Sequence, residues 1–402
     1  MRNKRFYIIP LLLLLLAGFV ACKKDSSGKP VITRLRAISP APNDSTLTKA
    51  GPGQTVVIQG SNLAAASQIY FNGYPAPFNS GLLADNNIVV TIPADMPFAS
   101  LDQSQLNTVK VVTPNGEVVF SFPIVPPAPI VNAITYENAL AGARVTITGN
   151  NFFFIDKVIF PGDKQVTANI VTNASGTTLE VTVPAGIAAS GPIAVINRYG
   201  TGTSVLLFND YTTGMISNFD DINTYSWGST ITDDATLFPG NHGKYARLAQ
   251  DNITGNNWDW WNGKRGVITN AGDWLPATEM SKPAANYAMK FDIYVKEAWP
   301  NGVLLIGPPP NDTWVYMYRY EPWKLQPNFK TTGWITVTAP LSEFRKKSSS
   351  GTDGAGDQAA TVGDVIGSIN EVVKIMFIND TGTPIAKMDM AIDNIRVLKI
   401  VK

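Results

Sequence analysis

The stretch Gly53-Gln-Thr-Val-Val-Ile-Gln-Gly-Ser-Asn-Leu63 recurs 89 positions later as Gly142-Ala-Arg-Val-Thr-Ile-Thr-Gly-Asn-Asn-Phe152. Ile69-Tyr70-Phe71 is matched by Val158-Ile159-Phe160 at the same spacing, and Val90-Thr-Ile-Pro-Ala94 by Val181-Thr-Val-Pro-Ala185 after two added residues. Self-similarity on this scale means one structural unit used twice. Val56 and Ile58 alternate, as do Val145 and Ile147, so each copy lays one apolar strand face on a core. Gly60-Ser61-Asn62 and Gly149-Asn150-Asn151 follow as turns, where a side chain or a left-handed residue is awkward. Each copy ends on a further strand and a glycine, 109–114 with Gly116 and 193–197 with Gly200. Neither copy holds a histidine or a knot of carboxylates, and both read as spacers. Pro126-Pro127-Ala128-Pro129 joins them through a short, stiff segment.

The N-terminus bears on location. Arg2, Lys4 and Arg5 precede an apolar run from Phe6 to Val20, too short for a membrane span and followed at once by polar sequence. Cys22 is the only cysteine, which excludes a disulfide within one chain. Leu16-Ala-Gly-Phe-Val-Ala-Cys22 resembles a bacterial lipoprotein signal, in which cleavage before the cysteine leaves it lipid-modified. That resemblance implies a signal peptide at 1–21, lipidation at Cys22 and a membrane anchor. Residues 22–30 then read as a tether.

Charge excludes one class of partner. Charged residues make up only 16% of the chain, 32 basic against 31 acidic, and three of the basic ones lie in the leader. The densest basic run is Arg345-Lys346-Lys347, too little for the many phosphate contacts that nucleic acid needs. The 33 glycines and 28 prolines point to short strands and many turns, and 402 residues to more than one core.

The composition changes at Asn218. All nine tryptophans lie beyond it: Trp227, Trp258, Trp260, Trp261, Trp274, Trp299, Trp314, Trp323 and Trp334. Alternation predicts strands at 244–250, 287–295, 302–306, 314–320, 333–339, 372–379 and 388–400, with one or two helical turns at 361–369. Many antiparallel strands without a βαβ rhythm suggest a double-sheet jelly roll. In 313–323, Trp314, Tyr316, Tyr318 and Tyr320 take every second position and share one face, with Val315 and Met317 on the other. Either face could be the core. The surplus of tryptophan favours rings at the surface, where flat aromatics carry recognition energy.

The two repeats resemble IPT/TIG domains, immunoglobulin-like sandwiches of surface proteins, at 31–126 and 127–210. Residues 211–402 resemble the terminal domain of Bacteroidota surface glycan-binding lipoproteins. The features that carry this likeness are Cys22 with Lys23-Lys24, the two repeats, Trp258-Asp-Trp-Trp261, Gly333-Trp-Ile-Thr-Val-Thr-Ala-Pro-Leu341 and Ile392-Asp393-Asn394-Ile395. The resemblance implies an all-β chain of two IPT/TIG β-sandwiches followed by a larger jelly-roll-like β-sandwich. It also implies an outer-membrane lipoprotein facing outward, without catalysis. Its expected ligand is a polysaccharide, a plant-type β-glucan such as xyloglucan. A TonB-dependent transporter and a SusD-like protein are the partners it implies.

Sugars lay their C–H faces on aromatic rings and offer hydroxyls to polar side chains. The candidates are Trp299, Trp314, Tyr316 and Trp323 on and around the aromatic strand, Trp258 and Trp260 in a polar loop, and Arg319 and Glu321 as hydrogen-bonding groups; Trp334 reads as core. The rival, a glycoside hydrolase, needs two carboxylates about 5–9.5 Å apart, and no pair is singled out here. His242, the only histidine, sits in the plain turn Pro239-Gly-Asn-His-Gly243. No cofactor is required. Asp220, Asp221, Asp393 and Asn394 are the oxygen donors a structural calcium ion would take, and equally residues that cap strand ends.

Overall fold

The computed structural model describes residues 28–401 apart from 225, 262–263, 271–274, 308–315 and 367–371. Cys22, Trp274 and Trp314 therefore lie outside the described residues. The chain divides into two compact units, Met1–Pro127 and Ala128–Lys402.

The first unit contains the first repeat. One sheet runs in the order Val31–Ala37, Thr55–Ser61, Asn87–Thr91, Leu83–Ala84, and the other Tyr74–Pro75, Gln68–Phe71, Thr108–Thr113, Gly116–Ser121. Val56, Ile58, Ile69, Phe71, Val90 and Val109 fill the space between them. The second repeat has the same pair of sheets: Ile130–Ile134, Arg144–Asn150, Thr178–Thr182, Val171–Thr172, and Lys164–Val166, Ile155–Phe160, Gly191–Asn197, Gly200–Phe208.

The shared signature has a steric cause. A Cβ on Gly60 would stand 1.8 Å from the Val31 carbonyl oxygen, and one on Gly149 would stand 1.9 Å from that of Ile130. Two residues on, Asn62 and Asn151 adopt φ of 59° and 61°, and their amides donate to the carbonyls of Lys29 at 2.9 Å and Ala128 at 3.2 Å. Glycine lets the strands cross, and asparagine turns the chain and ties it back to the entering segment.

The C-terminal domain is a sandwich of two antiparallel sheets. Five strands of the larger follow the order Thr230–Thr232, Tyr245–Ile253, Ile385–Lys399, Tyr287–Val295, Ile335–Pro340, and Met215–Ser217 also pairs with Ile385–Lys399. The smaller runs Gly266–Asn270, Val372–Ile378, Val303–Gly307, Tyr318–Tyr320. Met289, Phe291, Ile293, Leu304, Ile306, Ile375 and Phe377 meet between them. Val362–Ile366 forms a short helix.

The second repeat packs into this domain. Phe238, Tyr245, Trp334 and Ala391 join Ile147, Phe160 and Phe208 in one buried cluster, so Trp334 is core as expected. Lys290 and Asp292, which alternation turns away from the sandwich core, are buried against the repeat. There the Glu137 carboxylate accepts from Lys290 and, at 2.8 Å, from Arg396. Asn138 donates to Asp292 at 2.9 Å, and Thr336 donates to the same carboxylate at 2.6 Å while accepting from the Glu137 backbone N–H at 3.0 Å.

Candidate functional site

The smaller sheet has two apolar faces. Leu304, Ile306, Ile375 and Phe377 point into the sandwich, while Val303, Leu305, Met376 and Ile378 point outward and join Met317 in a second cluster. An apolar outer layer needs a cover. The 256–261 loop supplies it. Asn257 is tied to Asn379 by backbone hydrogen bonds of 2.8 and 3.1 Å, and Trp260 packs on the outer cluster.

Around Trp260 stand three tryptophans that the fold leaves open. Trp227 is 46% exposed, Trp258 42% and Trp261 48%. Trp227 meets Trp260 edge to face at 5.7 Å, and Trp261 meets it likewise at 5.9 Å. Trp227 is held by paired backbone bonds of 3.0 Å to Ile268. A groove of about 240 Å³ runs beside them, lined by Trp258, Trp260, Trp261, Met317, Asp353 and Lys374 among others. Flat exposed rings over an apolar floor, with charged groups at hand, suit a ligand with apolar faces and polar edges.

The aromatic strand faces the other way from the expected platform. Tyr316 is buried, and Tyr318 and Tyr320 pack half-buried against the main core. Trp299 is 3% exposed, wedged edge-on against Tyr320, Phe329 and Phe377. Trp323 is half-buried, with its indole N–H donating to the Gly302 carbonyl at 2.6 Å. These rings fill the space between the sheets and leave Met317 on the outer side, so Trp299 and Tyr316 offer no open face. Trp258 and Trp260 do converge at the groove. Trp227 and Trp261 were missed as ligand-contact candidates; the signal for Trp261 was present in the Trp258-Asp-Trp-Trp261 run, whereas Trp227 reaches the cluster only through the fold.

Arg319 and Glu321 form a clamp. The Arg319 guanidinium donates to Glu321 at 3.0 Å, to Asp380 at 2.6 Å and to the carbonyl of the groove residue Asp353 at 3.0 Å, while Lys324 donates to Glu321 at 2.7 Å. Burial works to raise the Glu321 carboxyl, but the hydrogen bonds from Arg319 and Lys324 outweigh it and hold it below its ordinary range.

Each of the four residues named for calcium takes part in hydrogen bonds with protein groups. Asp220 accepts from the Lys244 backbone at 2.8 Å, and Asp221 from the Asn218 amide at 2.7 Å. Asp393 accepts from Asn241 at 3.0 Å and from the Asn394 backbone at 2.7 Å, and Asn394 donates to Asp292 at 2.9 Å. Burial and the nearby Asp292 raise the Asp393 carboxyl well above the usual range. Among the described residues, no group of three or more His, Cys, Asp or Glu side chains is placed to hold a metal ion.

Residues 208–399 match the family model described as surface glycan-binding protein B xyloglucan binding domain, and residues 33–122 match the IPT/TIG domain. The C-terminal domain belongs to the surface glycan-binding protein B family. An IPT/TIG domain-containing protein of Bacteroides ovatus is 26% identical over 206 residues, 48% of this chain and 42% of that protein. The match therefore spans less than half the length of this curated relative. Two solved members of the surface glycan-binding protein B family share the fold. PbSGBP-B from Prevotella bryantii is 22% identical with a TM-score of 0.70, covering 94% of this chain and 100% of that one. SGBP-B from a complex xyloglucan utilization locus in Bacteroides uniformis is 18% identical with a TM-score of 0.54, covering 92% and 99%.

Proposed function

We propose that this protein binds a polysaccharide at the cell surface without catalysis, and that its ligand is a β-glucan of the xyloglucan type. The observation that carries this reading is the gathering of Trp258, Trp260 and Trp261 along one groove of the domain that matches the family model, with Trp258 and Trp261 each more than 40% exposed. Neutral sugar rings stack on such surfaces, and Asp353 and Lys374 stand at the groove for hydroxyl contacts. The name of the family model and the printed name of the Bacteroides uniformis relative support xyloglucan as the first glycan to try.

In the same reading Cys22 is acylated and holds the protein on the outer membrane, facing outward, beside a TonB-dependent transporter and a SusD-like protein that receive the glycan. Two experiments test the proposal. A glycan panel against the chain from Cys22 onward should show binding to xyloglucan or a related β-glucan; a blank panel leaves the surface protein a structural or adhesive one. Cys22→Ser should release the protein from the membrane fraction, and retention at the wild-type level sinks the anchor.

A further inference from the structure

The tryptophan loop rests on a buried cation. Arg265 is 0% exposed, yet among the described residues its Nε and Nη1 have no hydrogen-bond partner. Its Nη2 donates to the Asn257 side-chain oxygen. That same oxygen accepts from the Asp259 backbone N–H at 3.1 Å, and the Asn257 amide donates to Thr254 at 3.1 Å. The Arg265 backbone N–H also donates to the Trp260 carbonyl at 3.3 Å. The loop that carries the three indoles is thus fastened at Asn257 and again at Trp260, and Arg265 takes part in both.

The next residue completes the seat. A Cβ on Gly266 would stand 2.6 Å from Cε3 of Trp260, so the indole lies directly on the glycine backbone. Gly228 lies next to it, with a Cβ 3.9 Å from Cζ3 of the same ring. Trp260 in turn carries the edge contacts to Trp227 and Trp261.

A buried, half-satisfied guanidinium is a poor way to gain stability, since an apolar side chain of similar volume usually does as well. Burial drags this guanidinium below its ordinary range, and only the charge of Asp259 pulls it back. What an apolar replacement could not supply is the bond to Asn257, which fixes where the loop starts.

We propose that Arg265 and Gly266 are positioning residues, holding Trp258, Trp260 and Trp261 in the binding arrangement before a ligand arrives. This rests on reading the tryptophan groove as the glycan site. Positioned rings cost no ordering entropy on binding, which is how preorganisation raises affinity.

The test uses the chain from Cys22 onward and two independent readouts. Circular dichroism without ligand reports the exciton coupling of the perpendicular pairs Trp227–Trp260 and Trp260–Trp261, and calorimetry with xyloglucan oligosaccharides reports affinity. Arg265→Met should lose the coupling signal and about tenfold in affinity, with Arg265→Lys restoring part of both. Gly266→Ala should displace the Trp260 ring and do the same. If Arg265→Met fails to fold, Asn257→Ala removes the same bond from the loop side and carries the comparison. Wild-type coupling and wild-type affinity in these variants would overturn the proposal. Absence of glycan binding by the wild-type chain would overturn the reading of the groove alone, and the dichroism would still decide the positioning role.

Discussion

Arg396 and Glu137 stand 259 positions apart in the sequence and 2.8 Å apart in the structure. The guanidinium belongs to the long central strand of the C-terminal sandwich and the carboxylate to the second repeat, and both side chains are at most 5% exposed. Lys290 closes on the other Glu137 oxygen, also out of water. One carboxylate therefore answers two buried cations. Removing it leaves Lys290 uncompensated and Arg396 with Asp292 alone, at 3.5 Å, and breaking such a buried network typically costs about 3–5 kcal/mol. Glu137→Ala should lower the denaturation midpoint of the unit 128–402 accordingly. The fragment 211–402, which lacks Glu137 altogether, should express poorly or melt far below 128–402. Equal midpoints for the two fragments would show that the repeat adds no stability.

Exposed and buried tryptophans predict opposite phenotypes. Trp258→Ala and Trp261→Ala remove open rings, so each should lose about 2 kcal/mol of binding, roughly thirtyfold in Kd, with the melting temperature nearly kept. Trp299→Ala empties a core site and should cost roughly 3–5 kcal/mol of stability. Calorimetric titration and thermal melts on the three variants separate the cases. Loss of folding in Trp258→Ala, or normal binding by both loop variants, would move the site elsewhere.

The signature glycines permit a cleaner test of the two compact units. Gly60→Ala and Gly149→Ala each drive a methyl into a carbonyl oxygen. Each should lower the melting transition of its own unit and leave the other in place, as scanning calorimetry would resolve. A common shift of both transitions by either variant would mean that the units unfold together.

Acid should loosen the clamp beside the groove. The Glu321 carboxyl is held below its ordinary value by Arg319 and Lys324 against the opposing pull of burial. A depressed folded-state pKa contributes stability above the unfolded value, about 4.3, and loses it as pH falls through the folded one. Arg319→Met should therefore cost stability at neutral pH, and its deficit against wild type should narrow below about pH 4. Urea midpoints across pH 3–7 measure this. A deficit that stays constant over that range would remove Glu321 from the explanation.

Much of the architecture could be read in advance because it is written in local periodicity. Tyr287, Met289, Phe291, Ile293 and Val295 alternate in the sequence and point into the core, and the Gly60 and Gly149 turns fall where the repeat places them. The strand at 318–320 shows the limit. A period of two says that Tyr316, Tyr318 and Tyr320 share a face but carries no sign for inside and outside, and the decision came from Trp260 covering Met317 from a distant loop. Lys290 and Asp292 show the same limit. On their own strand they look like a solvated face, and only the second repeat, invisible to local pattern, buries them.

The strand Ile385–Lys399 has one further consequence. It lies in the middle of the larger sheet, paired with Met215–Ser217, Tyr245–Ile253 and Tyr287–Val295, and it brings Arg396 to Glu137. Chains are made from the other end. Until this last segment arrives, the strands of the larger sheet made before it have no partner at its centre, and the second repeat has no surface to dock on. The first repeat can fold while the chain is still emerging, but the larger sheet that backs the tryptophan face must wait for this strand. A chain cut short before this strand would thus keep its first sandwich and leave the larger sheet open at its centre, with unpaired edges exposed.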